Sequence, residues 1–289
     1  MEGLKKLFLP IAATLGFIQN HFKAMIFLLI LFLLFAPAAK EDLKPVNLQQ
    51  ITLSGPIFDA TDVVEQIDKA LEDDGIKGAL LVVDSPGGAV APSLEISYAV
   101  KRLSEKKPVV VYAKGILASG SYYASIWADE IMANPGSMVG SIGVIMQGAN
   151  FEELMQKIGI KTQVVKAGKF KQVGTPDREW TKYEKEELNK VIQGTYAMFV
   201  NDVAAARKLD VNNSDAYANA HIFTAAQAKD AGLIDSIGVN HDAKKHLETL
   251  AKVTDPTWSK EDKFDRFIRN LSTESISLLH TYFPALSLR

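Results

Sequence analysis

Leu117-Ala118-Ser119-Gly120-Ser121-Tyr122-Tyr123 is the stretch around which this chain is organised. Upstream lies Pro108-Val109-Val110-Val111-Tyr112-Ala113, an apolar, β-branched run that reads as a buried strand. Downstream, Tyr122 to Ala128 reads as the start of a helix. A serine among small residues at a strand-to-helix turn holds its hydroxyl at a helix N-terminus, where backbone N–H groups stabilise developing negative charge. An acyl-transfer nucleophile needs that arrangement. The same serine could equally cap the helix, because Ser is a favoured N-cap. The tripeptide Ala118-Ser119-Gly120 alone does not separate the two readings.

Its surroundings continue the strand–helix alternation. Leu48 to Leu53 reads as a strand, and Thr61 to Leu71 as a helix with Val64, Ile67 and Leu71 on one face. Gly78 to Asp84 is a continuous apolar run, the pattern of a parallel strand buried on both faces. It leads into Ser85-Pro86-Gly87-Gly88, then a helix from Pro92 to Leu103. Beyond Ser119, Glu130–Ala133, Met138–Met146 and Thr162–Val165 read as strands, and Trp180 to about Ala206 as a long helix. Ala225 to Ala231 gives a further helix, and Gly232 to Gly238 a short terminal strand. Such alternation predicts an α/β domain with a mostly parallel sheet.

Three glycine-bearing turns follow strands: Asp84 to Gly88, Ala118 to Gly120 and Gly140-Ser141-Ile142-Gly143. In a parallel sheet such turns gather at the carboxyl edge, where ligands bind. The amides of Pro86-Gly87-Gly88 suit an oxyanion hole, or the pair of glycines makes only a tight turn. Neither phosphate-loop signature is present, and no cofactor or metal is expected.

A nucleophilic serine needs a proton acceptor. Of the histidines only His221 lies near the domain body, which leaves a Ser-His-Asp triad open without local support. Lysine serves as base when burial depresses its pKa so that it is neutral. Lys166, Lys169 and Lys171 are candidates, with Lys114 more distant; the same cluster could be a solvated basic edge.

Composition narrows the class. The 289 residues are 47% hydrophobic and 23% charged with a formal net charge of -2, so nucleic acid is not an expected partner. There is no cysteine, hence no disulfide and no thiol nucleophile. Ala24 to Ala39 is uncharged and apolar, bracketed by Lys23 and Lys40. With Lys5, Lys6 and Lys23 on its N-terminal side, it predicts a single-pass anchor in the cytoplasmic membrane, with the bulk of the chain on the periplasmic or outer side. Ala36-Pro37-Ala38 also resembles a cleavage site, but the long n-region favours an uncleaved anchor. The expected organisation is a cytoplasmic N-terminus and anchor over 1–40, a catalytic domain over 41–254, and a tail over 255–289. In that tail Phe264, Phe267, Ile268 and Leu271 mark an amphipathic helix in need of a partner surface.

Taken together, these motifs resemble the signal peptide peptidase A, or protease IV, family of membrane-anchored serine peptidases, in its short single-domain form. Val83 to Gly88 resembles its oxyanion-hole motif, and Ala118 to Tyr123 its A-S-G-G-Y-Y nucleophile motif. Gly140 to Val144 is similar to its G-S-I-G-V segment, and Gly168-Lys169-Phe170-Lys171 to the G-x-x-K that carries its base. Phe223-Thr224 through Gly232-Leu233-Ile234-Asp235 resembles its closing segment. The resemblance implies a superhelical α/β fold of the crotonase and Clp-protease type and a Ser–Lys dyad. It assigns Ser119 as nucleophile, Lys171 as general base, Gly87 and Gly120 as oxyanion donors, and Ser141 as the residue orienting the lysine. It also implies peptide substrates such as signal peptides or other apolar segments, contact with membrane lipid, and a ring-shaped homo-oligomer. Two positions depart from the pattern: Ser121 stands where the family commonly has glycine, and Lys169 is an extra lysine. Other readings remain: a related membrane-associated Ser–Lys protease for another membrane protein, an acyl-CoA hydratase or isomerase without a nucleophilic serine, and a scaffold that binds peptides without cutting.

Overall fold

The computed structural model describes residues 17–29 and 44–259. The chain divides into two units, Met1–Lys44 and Pro45–Arg289. In the first, residues 17–29 are helical, with Phe17, Phe22, Phe27, Leu28 and Leu29 exposed. Among the described residues no helix is long and apolar enough to cross a membrane. The later part of the anchor expected over Ala24 to Ala39 lies outside the described residues, as does the amphipathic helix expected over Phe264 to Leu271.

The larger unit runs β1 (Gln49–Ser54), α1 (Thr61–Glu72), β2 (Ala79–Ser85), α2 (Val90–Ser104), β3 (Val109–Ala118), α3 (Gly120–Ser125), β4 (Glu130–Ala133) and β5 (Met138–Gly140). It continues with α4 (Glu152–Lys157), α5 (Lys182–Arg207), β6 (Ile222–Thr224), α6 (Ala225–Asp230), β7 (Ser236–Ile237) and α7 (Asn240–Leu250). The strands form one sheet in the order β1-β2-β3-β4-β7, all parallel, with β5 beside β3 and β6 antiparallel to β5. The mostly parallel α/β sheet expected from the alternation is therefore present.

Strand β3 explains the shape. Val110–Ala113 pairs with β4, whereas Ile116–Ala118 pairs with β5. One strand thus spans two partners set end to end, joined by a jog in which Asn134 Oδ1 accepts from Gly136 N and Ser137 Oγ donates to Ala113 O. On its other side β3 loses register with β2 between Val83 and Ser85. The Asp84 carboxylate fills that gap and accepts from Ile116 N at 3.0 Å. β3 bulges there and the strands pair again at Ser85 and Leu117, so the turns that follow them, at Pro86 and Ser119, emerge side by side.

Period-two alternation sends the apolar run of β2 to two cores. Leu81 and Val83 join Val109, Val111, Ile96, Leu103 and Phe199 in the larger one, under α1, α2, α3 and α5. Leu80 and Val82 join Val110, Tyr112 and Met132 against Leu247 and Ala243 of α7. Both faces are covered, which is why the strands carry almost no polar positions.

Two strand expectations do not hold. Met138–Met146 stops at Gly140, because Gly140 (φ 114) and Ser141 (φ 51) turn the chain out of the sheet. Thr162–Val165 is not a strand; Val164 and Val165 are exposed and have no sheet edge beside them.

Candidate active site

The nucleophile candidate sits at an elbow. Ser119 has φ 51 and ψ -123, a conformation that L-residues rarely adopt and that marks sites where function maintains strain. Its side chain makes no capping hydrogen bond to α3, so the simple N-cap reading does not describe it. Instead Oγ is left half-buried in a cleft of about 80 Å³ whose walls include Gly88, Ser93, Tyr123, Gly143, Val144 and Phe199. Helix α3 approaches α2 closely because small residues face each other: Ser97 Oγ donates to Tyr123 O at 2.8 Å, and Ser93 Oγ lies against Gly120.

The Pro86-Gly87-Gly88 turn is fixed from two sides. Ile57 N donates to Gly87 O at 2.9 Å, and Ala89 N donates to Ile57 O at 2.8 Å. Gly87 is buried, and its φ of 90 brings it so near that an added Cβ would lie 2.5 Å from Gly120 N. The N–H of Gly87, the oxyanion donor expected from the sequence, is instead turned inward and donates to Ser85 Oγ at 3.2 Å. The following amide, Gly88 N, has no protein partner among the described residues and lies on the exposed side, near Gly120. Gly88 and Gly120 thus both line the cleft, so the amide of the former and the helix N-terminus of the latter flank Ser119.

Ser121, the departure from the family pattern, points away from the cleft. Its hydroxyl donates to Ser85 O at 2.7 Å and accepts from Ala118 N at 2.9 Å. It adds a side-chain bond where the ends of β2 and β3 pair and so ties the glycine turn to the elbow.

Ser141 lies beside the elbow through the backbone. Ser119 N donates to Gly140 O at 2.8 Å, and Ser141 N donates to His221 O at 2.7 Å. The imidazole of His221 is exposed and is not part of the cleft wall.

Lys171 is placed differently. Residues from about 144 to 181 leave the body as an arm, in which α4 buries no residue and Ile145, Leu154, Ile158, Ile160 and Val165 are exposed. The arm's stems are pinned together: Phe151 N donates to Pro176 O at 2.8 Å, and Trp180 packs on Gly148 while its Nε1 donates to Thr175 O at 2.8 Å. At its base Arg178 makes paired bonds of 2.8 and 2.7 Å to the buried Glu184. Lys171 is exposed on this arm, outside the cleft wall, and among the described residues no hydrogen bond joins it to Ser119. Lys166 donates to Gln172 Oε1 at 3.3 Å, and Lys169 Nζ lies 4.8 Å from the Tyr183 ring centroid.

The residues that sequence reading missed are on α5. Phe199 stacks on Tyr123 with ring centroids 4.3 Å apart, and Asp202 accepts from the Tyr123 hydroxyl at 2.5 Å. Their i, i+3 spacing on a long helix reads simply as one turn of its face; only the position of Tyr123 four residues after Ser119 could have drawn attention to them. Among the described residues no group of three or more His, Asp or Glu side chains is arranged to hold a metal ion.

Comparison with known proteins fits this geometry. Peptidase family S49 matches residues 101–254. A putative protease of Methanocaldococcus jannaschii is 46% identical over 198 residues, covering 68% of this chain and 64% of that protein. A putative signal peptide peptidase SppA of Enterococcus faecium is 34% identical, covering 69% of this chain and 58% of its own length. The chain therefore spans under two thirds of either relative. Among solved structures, a mutant of the 1510-N membrane-bound stomatin-specific protease superposes with a TM-score of 0.51 at 13% identity, covering 76% of this chain and all of that one, which is a likeness of fold. A strained serine beside a glycine turn, and a family match over residues 101–254 that includes that serine, lead to one conclusion: the chain belongs to peptidase family S49, and its relatives include proteins named signal peptide peptidase SppA and protease 4.

Proposed function

We propose that this protein is a membrane-anchored endopeptidase that uses a Ser119–Lys171 dyad to degrade cleaved signal peptides or other apolar segments through an acyl-enzyme. The observation that carries the reading is the strained Ser119 beside the unpaired Gly88 amide and the Gly120 helix N-terminus. Attack by Ser119 Oγ on a peptide carbonyl would place the oxyanion between those donors, which stabilise it most when preorganised and shielded from water. Lys171 Nζ takes the serine proton and returns it to the leaving amine; water then releases the acyl group by the same route. Ser141, next to the carbonyl that accepts from Ser119 N, orients the lysine.

The exposure of Lys171 supports a further element of the reading: the base reaches Ser119 of a neighbouring copy. An arm with pinned stems and an outward apolar surface suits packing against a second subunit, and a head-to-tail contact of that kind closes into a ring. The apolar walls Val90, Val144, Ile145 and Phe199 suit apolar peptide. The anchor at Ala24 to Ala39 and the lysines before it support a catalytic unit held at the outer face of the cytoplasmic membrane, where such peptides collect.

A fluorophosphonate probe tests the reading on the full chain. Ser119 becomes labelled in the wild type, and neither Ser119→Ala nor Lys171→Ala is labelled. Labelling at another residue, or undiminished labelling of Lys171→Ala, refutes the dyad.

A further inference from the structure

The nucleophile helix and the long helix α5 meet at an aromatic contact with an unusual anchor. Tyr123 is one turn beyond Ser119, and its amide donates to Ser119 O at 3.0 Å. Its ring stacks on Phe199 nearly face to face, with an interplanar angle of 3°. Both rings are buried, and both line the cleft that holds Ser119. The Tyr123 hydroxyl donates to Asp202 Oδ2 at 2.5 Å, a charge-assisted bond of the short, strong kind. Burial above all, and then the Asp202 bond, push the Tyr123 hydroxyl above its ordinary range, so it stays a donor at every working pH. Phe199 and Asp202 are i, i+3 on α5, so one turn of that helix grips both the face and the tip of the same tyrosine.

This grip decides a volume. The cleft beside Ser119 holds about 80 Å³, which is roughly the space of two to three water molecules. A side chain the size of Ala or Val fits such a space; Leu and Phe require the stacked rings to move. A Tyr123 side chain free to swing about its Cα–Cβ bond would yield that room, but the bond from its hydroxyl to Asp202 holds the tip of the ring in place.

We propose that Asp202 is a positioning residue for substrate selection: by holding Tyr123 against Phe199, it fixes the wall of a pocket that admits small aliphatic side chains at the residue whose carbonyl Ser119 attacks. The proposal rests on Ser119 as nucleophile. Asp202 touches neither substrate nor Ser119; its effect passes through the tyrosine ring.

The test is kcat/KM for one apolar peptide series differing only in that residue, Ala, Val, Leu or Phe, with the full-length protein in detergent. Labelling of Ser119 by peptidyl phosphonates of the same series serves as an independent readout. The wild type favours Ala over Leu by roughly tenfold or more, the scale on which a rigid pocket resolves added methylenes. Tyr123→Phe keeps the ring and loses only the hydroxyl; it and Asp202→Ala each narrow that ratio by several-fold. The double variant narrows it no further, because both changes cut one contact. Asp202→Asn, whose amide oxygen still accepts from the tyrosine, restores the wild-type ratio. Phe199→Ala shifts preference toward Leu and Phe. If Asp202→Ala and Tyr123→Phe slow all four peptides equally, Asp202 only supports the fold and the proposal fails while the dyad stands. If the wild type neither cleaves nor labels with any member, the nucleophile assignment fails and this proposal with it.

Discussion

The amide of Ser119 donates to the carbonyl of Gly140 at 2.8 Å, and the residues at the two ends of that bond's strands, Ser119 and Ser141, share a φ of 51. The last ladder bond between β3 and β5 is thus also the point at which both chains turn away from the sheet. Each strained residue lies directly after a paired one, so the sheet itself holds the strain. This explains how a loop region without long side chains presents a hydroxyl in a fixed direction.

Gly140→Ala tests that coupling. An added Cβ would lie 2.6 Å from His221 O, a backbone atom that cannot step aside, and φ 114 is strained for any L-residue. The cost is about 1–3 kcal/mol of stability. Ser119 labelling falls further than stability does, because the elbow shifts before the fold is lost. Denaturant midpoint and probe labelling on the same variant check this; full labelling with lowered stability would uncouple the turn from the nucleophile.

Gly88 and Gly120 predict different outcomes for one substitution. A Cβ added at Gly88 meets the backbone oxygen of Ile57 at 2.1 Å, whereas one added at Gly120 meets the Ser93 hydroxyl at 2.3 Å. Both single variants lose activity. Removing the Ser93 side chain in Gly120→Ala/Ser93→Gly restores measurable labelling, while no side-chain removal rescues Gly88→Ala. Hydrolysis and labelling assays on the three variants decide the matter, and rescue is absent if Gly120 serves by its backbone freedom rather than by its lack of a Cβ.

Ser121→Ala removes a buried hydroxyl that serves Ser85 O and Ala118 N. Losing those buried side-chain bonds costs about 1 kcal/mol, measured by chemical denaturation. Because the same hydroxyl ties the Gly87 turn to the elbow, kcat falls with KM nearly unchanged.

At the base of the arm Arg178 bonds hold the Glu184 carboxyl down at about 2, with the Thr181 amide adding to the effect. A carboxyl lowered in the folded state stabilises it above the ordinary carboxyl range and loses that contribution as pH falls through the lowered value. The stems of the arm therefore loosen between about pH 4 and pH 2. Trp180 fluorescence, in a Trp127→Phe/Trp258→Phe background, shifts toward the solvated value over that range. Arg178→Ala shows the shifted spectrum already at neutral pH, and an unchanged spectrum at every pH would place the pin elsewhere.

What the sequence revealed, and what it hid, follows from the range of the forces involved. The buried strands were legible because Gly78 to Asp84 and Pro108 to Ala113 carry no polar alternation, a local signal. The elbow was legible as small residues after a strand. The end of β5 at Gly140 was not, because only the positive φ of two consecutive residues, held by the β6 backbone, stops it. The place of Lys171 was hidden for the opposite reason: a motif names a residue, while the surface it faces belongs to the assembled arm. Phe199 and Asp202 are some eighty residues from Tyr123 in sequence, and nothing local in α5 distinguishes them from an ordinary helix face.

The base assignment yields the sharpest prediction. If Lys171 of one copy serves Ser119 of the next, the two groups need not be on the same chain. Ser119→Ala and Lys171→Ala are each inactive, and the double variant is no worse, since nucleophile and base act as one unit. Co-expressed, the two single variants complement: a Ser119→Ala subunit supplies the lysine and a Lys171→Ala subunit supplies the serine. Activity returns to about a quarter of wild type, the chance that a facing pair in a randomly mixed head-to-tail ring carries both intact groups. Lys166→Ala and Lys169→Ala keep most activity, because Lys166 pairs with Gln172 and Lys169 lies over Tyr183. Hydrolysis by the co-purified mixed oligomer, with labelling confined to Lys171→Ala subunits, is the measurement. A mixed oligomer that stays inactive beside an active wild type puts the base on the same chain as its serine. A dead Lys169→Ala with an active Lys171→Ala moves the assignment two residues along the arm.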